Sequence, residues 1–289
     1  MVLIDLHVHS NASDGTDAPA EVMSRAAVAG LDVVALTDHD TQAGIAEARA
    51  ALSPGLTLVP GMELSCDLGG RSVHLLGYLF DPADPALSFE ADLIRNDRTY
   101  RAKAMVARLG ELGTGVTWER VAAIAGDSVV GRPHIARALV AVGAIATTGD
   151  AFTDEWIGDG GRAFVGRYAP GLARAVCLVR AASGVPVLAH PRSPGYEVPD
   201  EAIEELAEAG LGGIEVFHFD HDAAERSRLM RLARSLNLIM TGGSDDHGSY
   251  LAGGQPPVSR DSGGGDHRGL GGETTPPEEY ERLLALAAS

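Results

Sequence analysis

At 289 residues, 45% of them hydrophobic, the chain is long enough to bury a full α/β core, as one large domain or as a domain with an insertion. Its net charge of −17 argues against a surface that holds long nucleic acid, which calls for a basic face, and no apolar run approaches the ~20 residues of a membrane span. Cys66 and Cys177 lie far apart without a CxxC, and the N-terminus enters a strand with no basic or apolar leader, so the expected setting is cytoplasmic with both thiols reduced.

The first eighty or so residues alternate strand and helix. An apolar run at 2–6 leads into a loop holding Ser10, Ser13, Asp14 and Gly15. A helix is expected over 18–29, where Val22, Ala26 and Ala29 recur at helical spacing and Gly30 supplies the stop. A strand at 32–36 and a helix at 42–52 follow, the helix ended by Pro54-Gly55. A strand at 56–64 carries Glu63 to its end. Gly69-Gly70 then turns the chain into an antiparallel partner at 72–79, which bears His74.

From 88 to 167 the sequence reads as helices without strands: 89–112, then 118–125, 133–142 and a short one at 154–157. That predicts an all-helical insertion, 88–167, covering the substrate and set between two parts of an α/β domain, 1–87 and 168–289. Alternation resumes with helix 171–182, strand 185–189, helix 200–209, strand 213–217, helix 223–235 and strand 238–241. About seven strands result, and a parallel sheet or barrel is the economical arrangement. Residues 252–272 are dominated by Gly, Ser, Pro and Asp, too little apolar surface to offset ordering, so a flexible loop is expected before a last helix at 277–288.

Metal-binding residue types sit where the strands end. Asp5-Leu6-His7-Val8-His9 and Asp14 follow the first, and Thr37-Asp38-His39-Asp40 the second. Glu63, His74, Ala189-His190-Pro191 and Ser244-Asp245-Asp246-His247 continue the series. Imidazole and carboxylate are the donors that Mn, Fe and Zn accept. Successive strand ends are where a barrel-like fold gathers a site from distant sequence. A single histidine at a strand end is usually a partner for a backbone carbonyl; nine candidates in step with the strands point to a three-metal centre.

His7-Val8-His9-Ser10, with Ser13-Asp14-Gly15 just after it, resembles the first motif of the PHP (polymerase and histidinol phosphatase) family. Thr37-Asp38-His39 resembles the second motif, Pro60-Gly61-Met62-Glu63 the third, and Asp245 with His247 the last. The resemblance covers roughly residues 1–80 and 185–248, with the insertion placed as in the branch acting on nucleotide phosphates. It implies a distorted seven-stranded (β/α) barrel, three divalent metal ions and hydrolysis of phosphate esters. On this resemblance His7, His9, Glu63 and Asp245 would hold one metal; Glu63, His74 and His190 a second, with Glu63 bridging; and Asp14, His39 and His247 a third. Metals ~3.5–4 Å apart can polarise a phosphoryl group and lower the pKa of a bridging water, which would then attack as hydroxide. Three dications would also reverse the local sign of an acidic protein, so an anionic substrate is compatible with the overall charge.

The resemblance most favours removal of the 3′-phosphate from a nucleoside 3′,5′-bisphosphate. Short 5′-phosphorylated oligoribonucleotides, histidinol phosphate and cyclic sugar phosphates are alternatives. A metal-binding module without turnover is another, although the ligand set is complete; none of these readings calls for an obligate protein partner. An amidohydrolase is a fourth, but the carbamylated lysine such sites often use has no candidate, since Lys103, the only lysine, lies in the insertion.

His218, at the end of strand 213–217, and Asp40 are candidate acids for the leaving oxygen. Arg192, just after His190-Pro191, either clamps a phosphate bidentately or faces solvent. Gly131-Arg132-Pro133-His134 opens a helix whose N-terminus favours an anion. With Arg132 and His134 it reads as a second phosphate pocket or, more plainly, a solvated helix start. Asp38 and Asp246 read as outer partners that orient imidazoles, and His221 and His267 as bystanders.

Overall fold

The computed structural model describes residues 2–126, 130–166, 168–193, 197–248 and 269–288. The expected loop at 252–272, with His267, lies outside the described residues as far as 268. Two compact units are present, one of residues 1–91 and 169–289, the other of residues 92–168.

The first unit carries β1 (Ile4–Asp5), β2 (Val33–Leu36), β3 (Thr57–Leu68), β4 (Arg71–Tyr78), β5 (Val185–Leu188), β6 (Gly213–Phe217) and β7 (Ile239–Gly242), adjacent in chain order in one seven-stranded sheet. β1, β2 and β3 run parallel, β4 is antiparallel to both its neighbours, and β5, β6 and β7 are parallel again. Leu6 N–H donates to Gly242 O at 3.2 Å and Asp245 N–H to His7 O at 2.8 Å, which brings the last strand against the first. The result is a nearly closed, distorted barrel. Gly243 sits where this closure is tightest: a Cβ there would lie 2.3 Å from His7 Cβ, so a side chain is excluded.

Ile4, Leu6, Leu76, Val187 and Ile239 fill the barrel interior, joined by Leu283 of the last helix. Each such side chain contributes roughly 1.5–3 kcal/mol by leaving water. Outside the sheet, helices α1 (Pro19–Val28) and α2 (Ile45–Ala50) pack Val22, Met23, Ala26 and Ala48 against Val34 and Leu36 of β2. Helices α3 (Pro85–Glu111), α4 (Trp118–Ala125) and α5 (Arg132–Ala141) come next in the chain, then α6 (Leu172–Ala181), α7 (Asp200–Glu208), α8 (Ala223–Ser235) and α9 (Pro277–Ala287). The second unit closes its own core on Met105, Leu109, Val121, Ile135, Leu139 and Ile157. Among the described residues no helix is long and apolar enough to cross a membrane.

Three elements differ from expectation. β3 runs on to Leu68, because it leaves β2 at Pro60 and pairs with β4 from Gly61 to the Gly69-Gly70 turn, where both glycines have positive φ. Glu63 is therefore mid-strand rather than at a strand end. α2 starts three residues later than its pattern, since Thr41 Oγ1 takes the Ala43 N–H and holds a turn. The helix expected at 154–157 is replaced by a 3₁₀ turn at Thr148–Phe152, where Asp150 accepts the Thr147 N–H at 2.8 Å.

Candidate metal centre

Every element that contributes to the centre does so at the same end of the barrel unit. His7 and His9 follow β1, His39 follows β2, Glu63 and His74 stand on β3 and β4, His190 follows β5, and Asp245 and His247 follow β7. Glu63 is the hub: its carboxylate oxygens lie 2.8–3.2 Å from ring nitrogens of His7, His9, His39, His74 and His190. Asp245 Oδ1 is 3.1 Å from His9 Nε2 and 3.4 Å from His7 Nε2. Asp14, on the loop after β1, reaches His247 at 3.4 Å, His39 at 3.7 Å and His9 at 3.8 Å. His190 and Asp245 both have positive φ, +22° and +51°, a conformation costly for side-chain-bearing residues and concentrated here beside the hub.

The donor set fits metal ions. Three overlapping groups have ligand atoms within 4.8 Å of one another: His7, His9, Glu63 and Asp245; His39, Glu63 and His74; and His9, Asp14, His39 and His247. His9 Nδ1, Asp14 Oδ1, His39 Nδ1 and His218 Nε2 are buried and make no hydrogen bond. Such atoms are costly unless something completes them. His7 Nε2 and His9 Nε2 face each other at 3.1 Å, as two nitrogens do when both aim at one cation. The grouping departs from the expected partition, and His9 joins the Asp14 group as well as that of His7. His39 joins both the Glu63 and the Asp14 groups, while His190 touches Glu63 at 3.1 Å from beside them.

Electrostatics lead to the same fit. Burial works to raise the Glu63 carboxyl, but the imidazoles of His39, His74 and His7 outweigh it and hold the group well below the usual carboxylate range. Burial likewise opposes ionisation of Asp14 and Asp245, and neighbouring imidazoles again keep both ionised. Among the rings, burial lowers His39 to about 3 despite Glu63 and Asp14, whereas His9, also penalised by burial, is lifted to about 10 by Asp245 and Glu63. A dication that took these rings as ligands would replace the protons they hold, since a ligating imidazole is neutral.

Several acids and bases next to the ligands have other duties. Asp40 accepts the Ser65 N–H at 2.6 Å and the Ser65 hydroxyl at 2.9 Å, which commits its carboxylate to β3 and removes it as a candidate acid. Asp38 takes hydrogen bonds from Ser10 N–H and from the Ser10 and Ser13 hydroxyls, so it shapes the Asp14 loop instead of orienting an imidazole. Asp246 pairs with Arg25 of α1 at 2.8 Å, again without an imidazole. Arg192 is neither a phosphate clamp nor solvent-facing: it is buried, bound to Asp200 and Val198 O, with Nε 3.4 Å from Glu225. His221 donates from Nδ1 to Val216 O at 3.0 Å and accepts the Arg192 N–H at 3.2 Å, so it ties two loops together. In the second unit, buried His134 turns Nδ1 back to accept the Gly131 N–H at 2.9 Å, capping its own helix. Arg132 pairs with exposed Asp159 at 2.9 Å, over the Phe152 ring.

His218 is brought to the centre. Its Nδ1 accepts the Asp220 N–H at 3.2 Å, which leaves the proton on Nε2, 3.5 Å from Asp245 Oδ2. Two residues escaped the sequence reading. Glu215, fully buried on β6, lies 2.9 Å from His7 Nδ1 and accepts the His190 N–H at 2.8 Å. Asp5 accepts the Ser244 and Gly271 N–H groups at 3.0 and 2.9 Å and so pins the barrel closure. The signal for Glu215 was an acid inside an otherwise apolar strand, which costs several kcal/mol unless paired.

Comparisons with known proteins agree with this geometry. A family model described as the PHP domain matches residues 5–107. A 5′-3′ exoribonuclease of Haemophilus influenzae is 34% identical over 251 residues, covering 84% of this chain and 89% of that protein. A 3′,5′-nucleoside bisphosphate phosphatase of Chromobacterium violaceum is also 34% identical over 251 residues, covering 86% and 88%. A crystal structure from Bifidobacterium adolescentis, described as a metal-dependent phosphoesterase, superposes with a TM-score of 0.85 at 34% identity, covering 98% of this chain and 96% of that one.

Proposed function

The chain belongs to the PHP domain family, a metal-dependent phosphoesterase by its relatives and its donor set, and from that premise we propose that it removes a phosphate from a small nucleotide, foremost the 3′-phosphate of a nucleoside 3′,5′-bisphosphate. The observation that carries the chemistry is the convergence of five imidazoles on Glu63. We assign three metal ions, of the Mn, Fe or Zn type, to the three overlapping groups, with His190 completing the Glu63 side. Bound there, the metals supply Lewis acidity and a water of lowered pKa.

The chain's own residues supply the rest. Glu63 and Asp245, kept ionised, hold the rings that follow β1, β2 and β7 and the one on β4 in one orientation. His218 offers its Nε2–H beside Asp245, where it is suited to hydrogen-bond a phosphoryl oxygen or to protonate the leaving one. For a second, non-reacting phosphate the candidate is Arg132 at the N-terminus of α5, where guanidinium and helix dipole both favour an anion. Hydrolysis of short 5′-phosphorylated oligoribonucleotides is the second reading, supported by the equal identity of the Haemophilus influenzae relative.

Phosphate release in the presence of Mn, compared between a nucleoside 3′,5′-bisphosphate, a 5′-phosphorylated dinucleotide and an aryl phosphate, tests the choice. Arg132→Ala is expected to cost about 2–4 kcal/mol in kcat/KM on the bisphosphate and little on the aryl ester. Equal losses would remove Arg132 from substrate binding. Faster turnover of the dinucleotide would give the exonuclease reading precedence.

A further inference from the structure

Below the ligands, Glu215 touches two of them at once. One carboxylate oxygen lies 2.9 Å from His7 Nδ1, and the other accepts the backbone N–H of His190 at 2.8 Å. The carboxylate is fully buried, and each of its oxygens is taken by one of these contacts. A register shift between β6 and β7 follows immediately, with Glu215 opposite Thr241 but Phe217 opposite Gly242. That bulge re-aims the chain so that His218, three residues on, also arrives at the centre.

We propose that Glu215 is a positioning residue that couples the His7 and His190 sides of the metal centre; this rests on the metal-centre reading above. The two contacts do different work. With one oxygen taken by the His190 N–H, Glu215 accepts from His7 with the other, which sets the His7 proton on Nδ1 and leaves Nε2 free to ligate a cation in the space it shares with His9, Glu63 and Asp245. The bond to the His190 N–H holds a backbone that stands at φ +22°, the strained turn that swings this ring back to within 3.1 Å of Glu63. One side chain on β6 thereby fixes a ring after β1 and a turn after β5. Neither contact is made to Asp14 or His247, the two donors that belong to the third group alone.

Glu215→Gln is the probe, because an amide of the same shape accepts at one end only and turns N–H toward N–H at the other. Cobalt is titrated into native and variant protein against a chelator, following the absorption spectrum. Affinity on the His7 side is expected to fall about 10- to 100-fold, with an altered cobalt spectrum there, while the tightness of the Asp14 group stays native. Unchanged affinity and spectrum overturn the inference. Failure of the native protein to take up cobalt would instead sink the metal-centre reading itself. Should the variant not fold, nitrogen-15 NMR of zinc-loaded native protein decides: His7 protonated on Nδ1 supports the coupling, and the opposite tautomer refutes it.

Discussion

Two clusters of buried charge lie in the barrel unit, His190 belonging to one and Arg192 to the other, and they follow opposite rules. Around Glu63 five rings crowd one carboxylate, and ring also faces ring: His7 Nε2 stands 3.1 Å from His9 Nε2. Around Arg192 unlike faces unlike. Its guanidinium meets Asp200, Val198 O and Glu225, and His221 donates to one backbone group while accepting from another. Both clusters are ionic, and His190 and Arg192 stand two residues apart in the chain. The lesson is one of ratio: five imidazoles crowded on one carboxylate suit a cation, whereas one guanidinium shared between two carboxylates and a carbonyl braces the loops that carry them.

The sharpest way to break this contrast is Glu63→Ala. It is expected to lose at least two metal equivalents by elemental analysis and about 10³-fold in kcat/KM, or ~4 kcal/mol. A full metal complement in that variant would remove Glu63 as the hub. Arg192→Ala strikes the other cluster; Asp200 keeps Arg228 at 3.1 Å, but Val198 O loses its donor and Glu225 its nearby guanidinium, so unfolding in urea should come at a stability lower by about 2–3 kcal/mol. Metal content per folded molecule should hold. Metal loss without destabilisation would mean that Arg192 serves the centre after all. The smallest effect is expected from His221→Leu, which strands the Arg192 N–H and Val216 O at a cost of about 1–3 kcal/mol. If that variant instead lowered turnover at native stability, His221 would belong with the catalytic groups.

The candidate donors were readable in the chain because their chemistry resides in residue type, and the strand that delivers each can be recognised locally. His7, His39 and His190 each follow a short apolar run. What surrounds them was not readable. Asp38, Asp40 and Asp246 all adjoin ligands in sequence, and each turned out to brace backbone or bind Arg25. Backbone direction decided this: Asp40 has φ +54°, which turns its carboxylate to Ser65 on the neighbouring strand. His134 turns its Nδ1 to cap its own helix, which sets its proton on Nε2, a detail no local pattern shows.

By itself the sequence determined the alternation of strands and helices, the helical character of the inserted stretch, and the types of donor offered to a metal, since periodicity and ligand chemistry are local properties. Only the tertiary structure decided which donors share a hub and which are taken up elsewhere. Glu215 meets His7 across 208 residues of sequence because β6 lies beside β7 and β7 closes on β1. A hydrogen bond acts over about 3 Å, and only the closed sheet brings residues so distant in the chain within that reach.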